Sequence, residues 1–73
     1  MNFKSAINDF VTCEIHYGNR VQCFAKLGNG NWVAVLDNGD LDSVEVCGAD
    51  LESMLETVEG IGADIRFTNH SAA

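Results

Sequence analysis

Cys13 and His16 are the two side chains whose types and spacing come nearest to a reactive site. A thiolate and an imidazole together bind zinc, and a cysteine beside a histidine base can act as a nucleophile. Both residues lie in an alternating run, however, and a spacing of three along a strand puts side chains on opposite faces. We therefore interpret Cys13 as a core residue and His16 as a surface residue. The second histidine, His70, lies in the C-terminal tail.

The acid-dense stretch at residues 37–42 has the composition of a calcium-binding loop. It lacks the Asp-x-Asp-x-Asp-Gly order and the closing bidentate glutamate that such a loop requires. A hairpin turn with solvated acids is the better interpretation. None of the glycines forms a phosphate-binding motif. We expect no enzyme activity, no metal ion and no cofactor.

The size and composition predict a single α+β domain over residues 1–73, with a frayed tail at about 69–73. The 73 residues include no proline and are 47% hydrophobic, and two separate cores need a longer chain. Three cysteines without a Cys-x-x-Cys pair, and no signal-peptide pattern, favour free thiols in a cytoplasm. No apolar run approaches the ~18 residues that span a bilayer.

Negative charge is the most distinctive feature of the sequence. Eleven acids stand against four bases, a net charge of −7, which argues against direct binding to nucleic acid or to an anionic membrane. Residues 1–36 carry a net charge of +1, whereas residues 37–73 hold nine acids and one base. We predict that acids of this second half bind a basic partner surface, namely Asp37, Asp40, Asp42, Glu45, Glu52, Glu56 and Glu59.

The last three of these acids form a stripe along a predicted helix. Glu52, Glu56 and Glu59 are four and three residues apart, and no base nearby compensates them. Like charges at this spacing destabilise a helix by about 0.2–0.5 kcal/mol per pair. A small domain that tolerates this repulsion suggests a use for the charge; the alternative interpretation is a helix face that is merely solvated.

Alternating apolar residues predict strands in the first two thirds of the chain. Runs at 10–17, 20–27 and 32–36 are alternating or wholly apolar, and a fourth run follows residue 40. Asn-Gly between such runs predicts type I′ hairpin turns, in which both central residues have a positive φ. These segments form a four-stranded antiparallel meander.

The register of the meander follows from the loop lengths. Two-residue loops at 29–30 and 38–39 bring apolar residues opposite one another. At the first turn, a two-residue loop would place Ile15 opposite Gln22, and a three-residue loop would place it opposite Cys23. Because a slip of one residue exchanges the two faces of a strand, we predict the three-residue loop.

After Cys47 the apolar spacing becomes helical and predicts a helix over Asp50–Glu59 with the stripe Leu51, Met54, Leu55 and Val58. Asp50 or Gly48 would cap its start and Gly60 would end it. A fifth strand at 63–68 lies beside the first strand or beside the fourth. The first nine residues fit one short helical face through Phe3, Ile7 and Phe10.

The helix is predicted to pack on one face of the sheet, made by Val11, Cys13, Ile15, Val21, Cys23, Ala25, Leu27, Trp32, Ala34 and Leu36. The opposite face is then unusually apolar, with Phe24, Val33, Val35, Val44 and Val46 at its centre. Such a surface needs a cover. We expect either the N-terminal segment, through Phe3 and Ile7, or a second copy of the chain in a homodimer.

In size and layout the chain resembles the small α/β inhibitors that phages and mobile elements encode, the anti-CRISPR proteins among them. The likeness rests on the acidic charge, the turns at Tyr17–Arg20 and Asn29–Gly30, and the helix Asp50–Glu59, and it covers about residues 10–68. It implies binding to the basic nucleic-acid channel of a surveillance complex, or blocking of its partner, in the cytoplasm of a bacterial or phage-infected host cell. No functional residue can be transferred from it.

Two functions therefore stand as expectations. The first is a small acidic inhibitor that docks on a basic, nucleic-acid-binding surface and acts as a DNA mimic or a steric blocker. The second is a non-enzymatic homodimeric interaction or assembly module that uses the apolar sheet face.

Overall fold

The computed structural model describes residues 3–69, so His70 and most of the predicted frayed tail lie outside the described residues. The elements in chain order are α1 (Phe3–Asp9), β1 (Thr12–Tyr17), β2 (Arg20–Lys26), β3 (Trp32–Val35), β4 (Leu41–Val46), α2 (Gly48–Gly60) and β5 (Asp64–Thr68). The predicted α+β class, an antiparallel sheet with a helix packed on one face, is confirmed. Neither α1 nor α2 is long and apolar enough to cross a membrane.

The five strands form one antiparallel sheet in the order β4-β3-β2-β1-β5. Of the two predicted positions for the fifth strand, the one beside β1 is confirmed. In this pairing Cys13 lies opposite Phe67 and Ile15 opposite Ile65. The last strand therefore extends the apolar surface of the first, and α2 connects the two edges of the sheet.

The first hairpin has a two-residue loop, so the predicted three-residue loop is wrong. Tyr17 lies opposite Arg20, and Ile15 lies opposite Gln22. Gly18 has a φ of 61°, whereas Asn19 does not have a positive φ. A positive φ at the first central position alone is the requirement of a type II′ turn, which glycine meets at no steric cost.

The other two hairpins have three-residue loops, so the predicted two-residue type I′ turns are also wrong. The amide of Leu27 donates to the carbonyl of Asn31 at 2.7 Å, and the amide of Gly30 donates to Leu27 at 3.0 Å. The segment Leu36–Asp40 repeats this pattern. Only Gly30 and Gly39 have a positive φ in these loops, 88° and 87°, as in a type I turn followed by a glycine bulge.

The first loop is one residue shorter than predicted and the second is one residue longer. The two differences cancel at β3, but the strand between them, β2, has its two faces exchanged. Trp32 and Ala34 face the helices, as predicted. In β2, however, Phe24 faces the helices and is buried, whereas Cys23 pairs with Glu14 and Val35 on the opposite face. The side chains of β2 therefore alternate as predicted, but the side predicted to face the helices is the one that faces away from them.

The core lies between the sheet and both helices, and its buried members are Phe3, Ile7, Cys13, Ile15, Phe24, Trp32, Leu51 and Leu55. The predicted burial of Trp32 and Leu55 is confirmed, since neither is accessible to solvent. The N-terminal segment is helical as predicted, but it packs on the same side of the sheet as α2. The expectation that Phe3 and Ile7 cover the opposite face is therefore wrong.

Both ends of α2 differ from the prediction. Cys47 is the N-cap, and its thiol donates to the Asp50 carboxylate at 3.0 Å. At the other end, the amide of Gly62 donates to Glu59 and that of Ala63 donates to Val58, both at 3.0 Å. This is a Schellman motif, and its left-handed residue is Gly62, with a φ of 93°, rather than Gly60.

The apolar stripe of α2 offers a matched test of the core. Leu55 is fully buried, whereas the adjacent Met54 is 38% exposed. We expect Leu55→Ala to lower the free energy of unfolding by about 2–5 kcal/mol, because it removes packed methyl groups and leaves a cavity. Met54→Ala should cost less than about 1 kcal/mol. Urea denaturation followed by Trp32 fluorescence measures both; equal losses would contradict this packing.

Candidate functional site

The acidic stripe of α2, defined by Glu52, Glu56 and Glu59, lies along one flank of the helix. The side of α2 that faces the sheet buries Leu51 and Leu55 in the core. Glu56 and Glu59 are exposed and Glu52 is partly buried. Glu56 and Glu59 are therefore exposed as predicted, whereas Glu52 lies closer to the core than the prediction had it.

The acids near the β3–β4 turn are also accessible, but two of them help to form the hairpin. Asn38 Nδ2 donates to Asp40 Oδ2 at 2.8 Å. The amide of Val44 donates to Asp42 Oδ1 at 3.3 Å. Asp37 and Asp40 are exposed, and Asp42 is partly buried. Asp40 and Asp42 therefore accept hydrogen bonds within their own hairpin, and all three carboxylates contribute negative charge to the surface.

Glu45 has a structural role that the sequence interpretation did not assign to it. Its Oε1 accepts hydrogen bonds from Asn31 Nδ2 at 2.8 Å and from Asn29 Nδ2 at 3.0 Å. These bonds favour the ionised form, so they hold the pKa of Glu45 below its usual value of 4.5. The carboxylate of β4 thus fastens the loop between β2 and β3.

Few basic side chains pair with the acids of α2 and of the β3–β4 turn. Within residues 3–69 there are two ion pairs: His16 Nε2 with Glu14 Oε1, and Arg66 Nε with Asp64 Oδ2, both at 2.8 Å. None of the seven acids predicted to bind a partner belongs to either pair. The negative field of these acids therefore extends into solvent, screened only by salt.

The sheet face opposite the helices, here called the open face, has an apolar half and a polar half. Strand pairing places three rows of side chains on it. On β1 and β5 the rows carry Thr12, Glu14, His16, Asp64, Arg66 and Thr68. On β2, β3 and β4 they form an apolar patch of Val21, Cys23, Ala25, Val33, Val35 and Leu41, and Glu45, opposite Val33 on the edge strand β4, borders this patch.

The predicted dimer face matches this patch only in part. Val33 and Val35 lie on the open face, as predicted. Phe24 is buried in the core instead, and Val46 lies opposite Trp32 on the helix side. Val44 is exposed on β4, an edge strand. The correction follows from the reversed faces of β2 and from the irregular pairing of β4.

Four residues of the apolar patch, Val21, Cys23, Ala25 and Leu41, were missed by the sequence interpretation. The signal was present in the repeated pattern Leu-x-Asn-Gly-[Asn/Asp] at residues 27–31 and 36–40. In both copies the asparagine Oδ1 accepts from the backbone amide two residues later. Two identical turns imply the same three-residue loop, which places these side chains on the open face.

The thiols of Cys13 and Cys23 do not have the surroundings of nucleophiles. Burial, helped by nearby Cys23 and Glu14, raises the pKa of the Cys13 thiol to about 12. Burial likewise raises the pKa of Cys23, with Glu14 and Asp37 adding to the effect. Cys13 and His16 lie on opposite faces of β1, as predicted. No group of three or more metal-binding side chains occurs in the described part of the chain.

Comparisons with known proteins add no family to this description. No protein-family model matches the chain, and neither a curated protein nor a solved structure matches it.

The hydrogen bonds to Glu45 predict its titration. Because the folded pKa is depressed, this carboxylate stabilises the fold above its unfolded pKa, and the contribution is lost as the pH falls through the folded value. Asn31→Ala should raise the pKa of Glu45 towards 4.5. NMR titration of the Glu45 carboxyl carbon measures this change. Asn38→Ala is the control at the equivalent turn, and an equal shift in that variant would refute the assignment.

Proposed function

We propose that this protein is a small acidic inhibitor that docks on a basic surface of a partner protein. Its carboxylates would take the positions that nucleic-acid phosphates occupy on that surface, as a DNA mimic or as a steric blocker. The partner class is a nucleic-acid-binding effector complex, the class implied by the resemblance to anti-CRISPR proteins. The observation that carries the proposal is the uncompensated acidic stripe of α2.

Two properties of the acidic stripe support docking. Glu52, Glu56 and Glu59 are held on a helix that is anchored by Leu51 and Leu55, so their spacing is set before any partner binds. Preorganised groups lose less conformational entropy on binding than groups on a free chain. None of the three carboxylates belongs to the ion pairs of residues 3–69. A partner cation would therefore not have to displace an internal one.

The total charge supports the same mode of action. A particle with a net charge of −7 is attracted to a basic cleft over distances of about a Debye length, ~10 Å at 0.1 M salt. Such steering raises the association rate of complementary surfaces. Acids on both α2 and the β3–β4 turn widen the surface over which this attraction acts.

Reversing the charge of the stripe tests the proposal. We expect Glu52→Lys with Glu56→Lys to change the free energy of unfolding by no more than about 1 kcal/mol, because both side chains lie outside the core. Affinity for a basic partner should fall about tenfold or more, mainly through the association rate. Asp9→Lys with Asp64→Lys is the control, since it makes the same change in net charge on other surfaces.

The partner is obtained by capture from a bacterial lysate on immobilised wild-type protein at low salt, followed by elution with duplex DNA. Titrations of this partner with wild type and both double variants at two salt concentrations give the affinities. A larger loss for the stripe variant than for the control supports docking through α2. Equal affinity for wild type and the stripe variant at both salts would refute it.

A second candidate function, a homodimeric module, is favoured by the apolar patch of the open face. Val33 is already buried there, and Cys23, Ala25 and Val35 are partly buried, so a flat partner would complete the burial. A twofold axis that runs across the strands would place the apolar patch of one copy on the apolar patch of the other. The polar halves of the two open faces would then also meet. Isologous pairing of this kind is the common form of homodimer.

Sedimentation equilibrium tests the dimer. Leu41, in the patch, and Ile61, after α2, have nearly the same exposure, 59% and 58%. We expect Leu41→Lys to raise the dimer dissociation constant about tenfold or more, because it places a charge in an apolar interface. Ile61→Lys should leave the constant unchanged. Wild-type protein that is monomeric at every concentration would exclude this function.

A further inference from the structure

A cleft of about 710 Å³ opens at the end of the sheet where β1 turns into β2 and where β3 ends. Its lining is mixed: Ile15, Tyr17, Val21 and Leu36 contribute apolar surface, and Asn19, Arg20, Gln22 and Asp37 contribute polar groups. Tyr17 and Leu36 are about half exposed although they are large and apolar. Their exposure indicates that the two helices leave this corner of the sheet uncovered.

Two opposite charges line the same cleft. Arg20 belongs to β2 and Asp37 follows β3. Within residues 3–69 neither side chain forms an ion pair, and no nitrogen of Arg20 lies within 4.0 Å of a carboxylate oxygen of Asp37. Lys26 and Arg66, by contrast, are engaged by the carbonyl of Asn8 and by Asp64. The cleft therefore presents a guanidinium and a carboxylate that do not neutralise each other.

We propose that this cleft binds an apolar zwitterion, that is, a free amino acid or a short peptide with apolar side chains. The free carboxylate of the ligand pairs with Arg20, its ammonium group pairs with Asp37, and its side chains lie on Tyr17 and Leu36. This site is separate from the acidic stripe of α2 and shares only Asp37 with the acids predicted to face a basic partner, so it does not depend on the function proposed above.

Charge complementarity selects this ligand over simpler ones. A guanidinium recognises a carboxylate through two parallel hydrogen bonds, but a simple anion would be repelled by Asp37 and by the net charge of −7. A simple cation would be repelled by the guanidinium of Arg20. A zwitterion satisfies both charges and is neutral overall. The volume lies within the range of small-molecule sites, roughly 300–1,000 Å³, and the mixed lining offers both apolar surface and polar groups to a ligand.

Four forms of one dipeptide separate the contributions of the two charges. Leu-Leu carries both terminal charges, N-acetyl-Leu-Leu only the carboxylate, Leu-Leu-amide only the ammonium group, and N-acetyl-Leu-Leu-amide neither. Each is titrated into the full chain, and binding is followed by the NMR chemical shifts of Tyr17 and Leu36. We expect Leu-Leu to bind about twofold to fivefold more tightly than either singly charged form, the range for exposed ion pairs.

Two neutralising variants assign the charges to residues. In Arg20→Gln the preference for a free carboxylate should disappear, so that Leu-Leu and Leu-Leu-amide bind equally. In Asp37→Asn the preference for a free ammonium group should disappear, so that Leu-Leu and N-acetyl-Leu-Leu bind equally. Arg66→Gln and Asp9→Asn make the same charge changes outside the cleft and should keep both preferences.

Free leucine, titrated in parallel, distinguishes the two sources of the ligand. Tighter binding of leucine than of Leu-Leu identifies a free amino acid as the ligand, and the reverse order identifies a peptide. Equal binding of all four dipeptide forms would overturn the proposal. So would an absence of saturable shifts at Tyr17 and Leu36, or preferences that survive in both Arg20→Gln and Asp37→Asn. Failure of the acidic stripe to bind a partner would leave these results unaffected.

Discussion

The burial of the Phe24 ring determines how the rest of the sheet is arranged. Phe24 belongs to the core cluster that includes Trp32 and residues of both helices. Burying such a ring contributes about 1.5–3 kcal/mol, whereas its neighbour Cys23 would bury far less apolar area in the same place. The first turn must therefore have two residues, so that β2 directs Phe24 towards the helices. The next loop must have three residues, so that Trp32 also faces inward.

The orientation of β2 in turn gives the two sides of the sheet different roles. On the helix side, Lys26 donates to the carbonyl of Asn8 at 3.0 Å and lies 5.4 Å from the centre of the Trp32 ring. It thus ties the end of α1 to the sheet. On the open face, Val21, Cys23 and Ala25 join the valines of β3 into one apolar patch. The same register that completes the core therefore creates the surface that a second copy would cover.

The charge of the protein is compatible with this small core because of where the acids lie. Those on α2 lie along one flank of the helix, and those near the β3–β4 turn lie where water surrounds them. Repulsion between exposed carboxylates is weak at physiological salt. Glu45 even contributes to the fold through two asparagine side chains. The structure can therefore hold an excess of negative charge that its folding does not use, which leaves that charge available for a partner.

Local pattern in the sequence determined the elements, and tertiary packing decided how they face one another. Helical spacing placed Leu51 and Leu55 inside and the acidic stripe outside the core, and alternating or wholly apolar runs located the five strands, because each of these features depends on neighbours within a few residues. The face of β2 could not be read in this way. Both of its sides are partly apolar, and a single residue of loop length exchanges them. Only the competition between Phe24 and Cys23 for space beneath the helices resolves the choice. The corner cleft with Arg20 and Asp37 depends on the same packing, since it exists only where α1 and α2 leave the sheet uncovered.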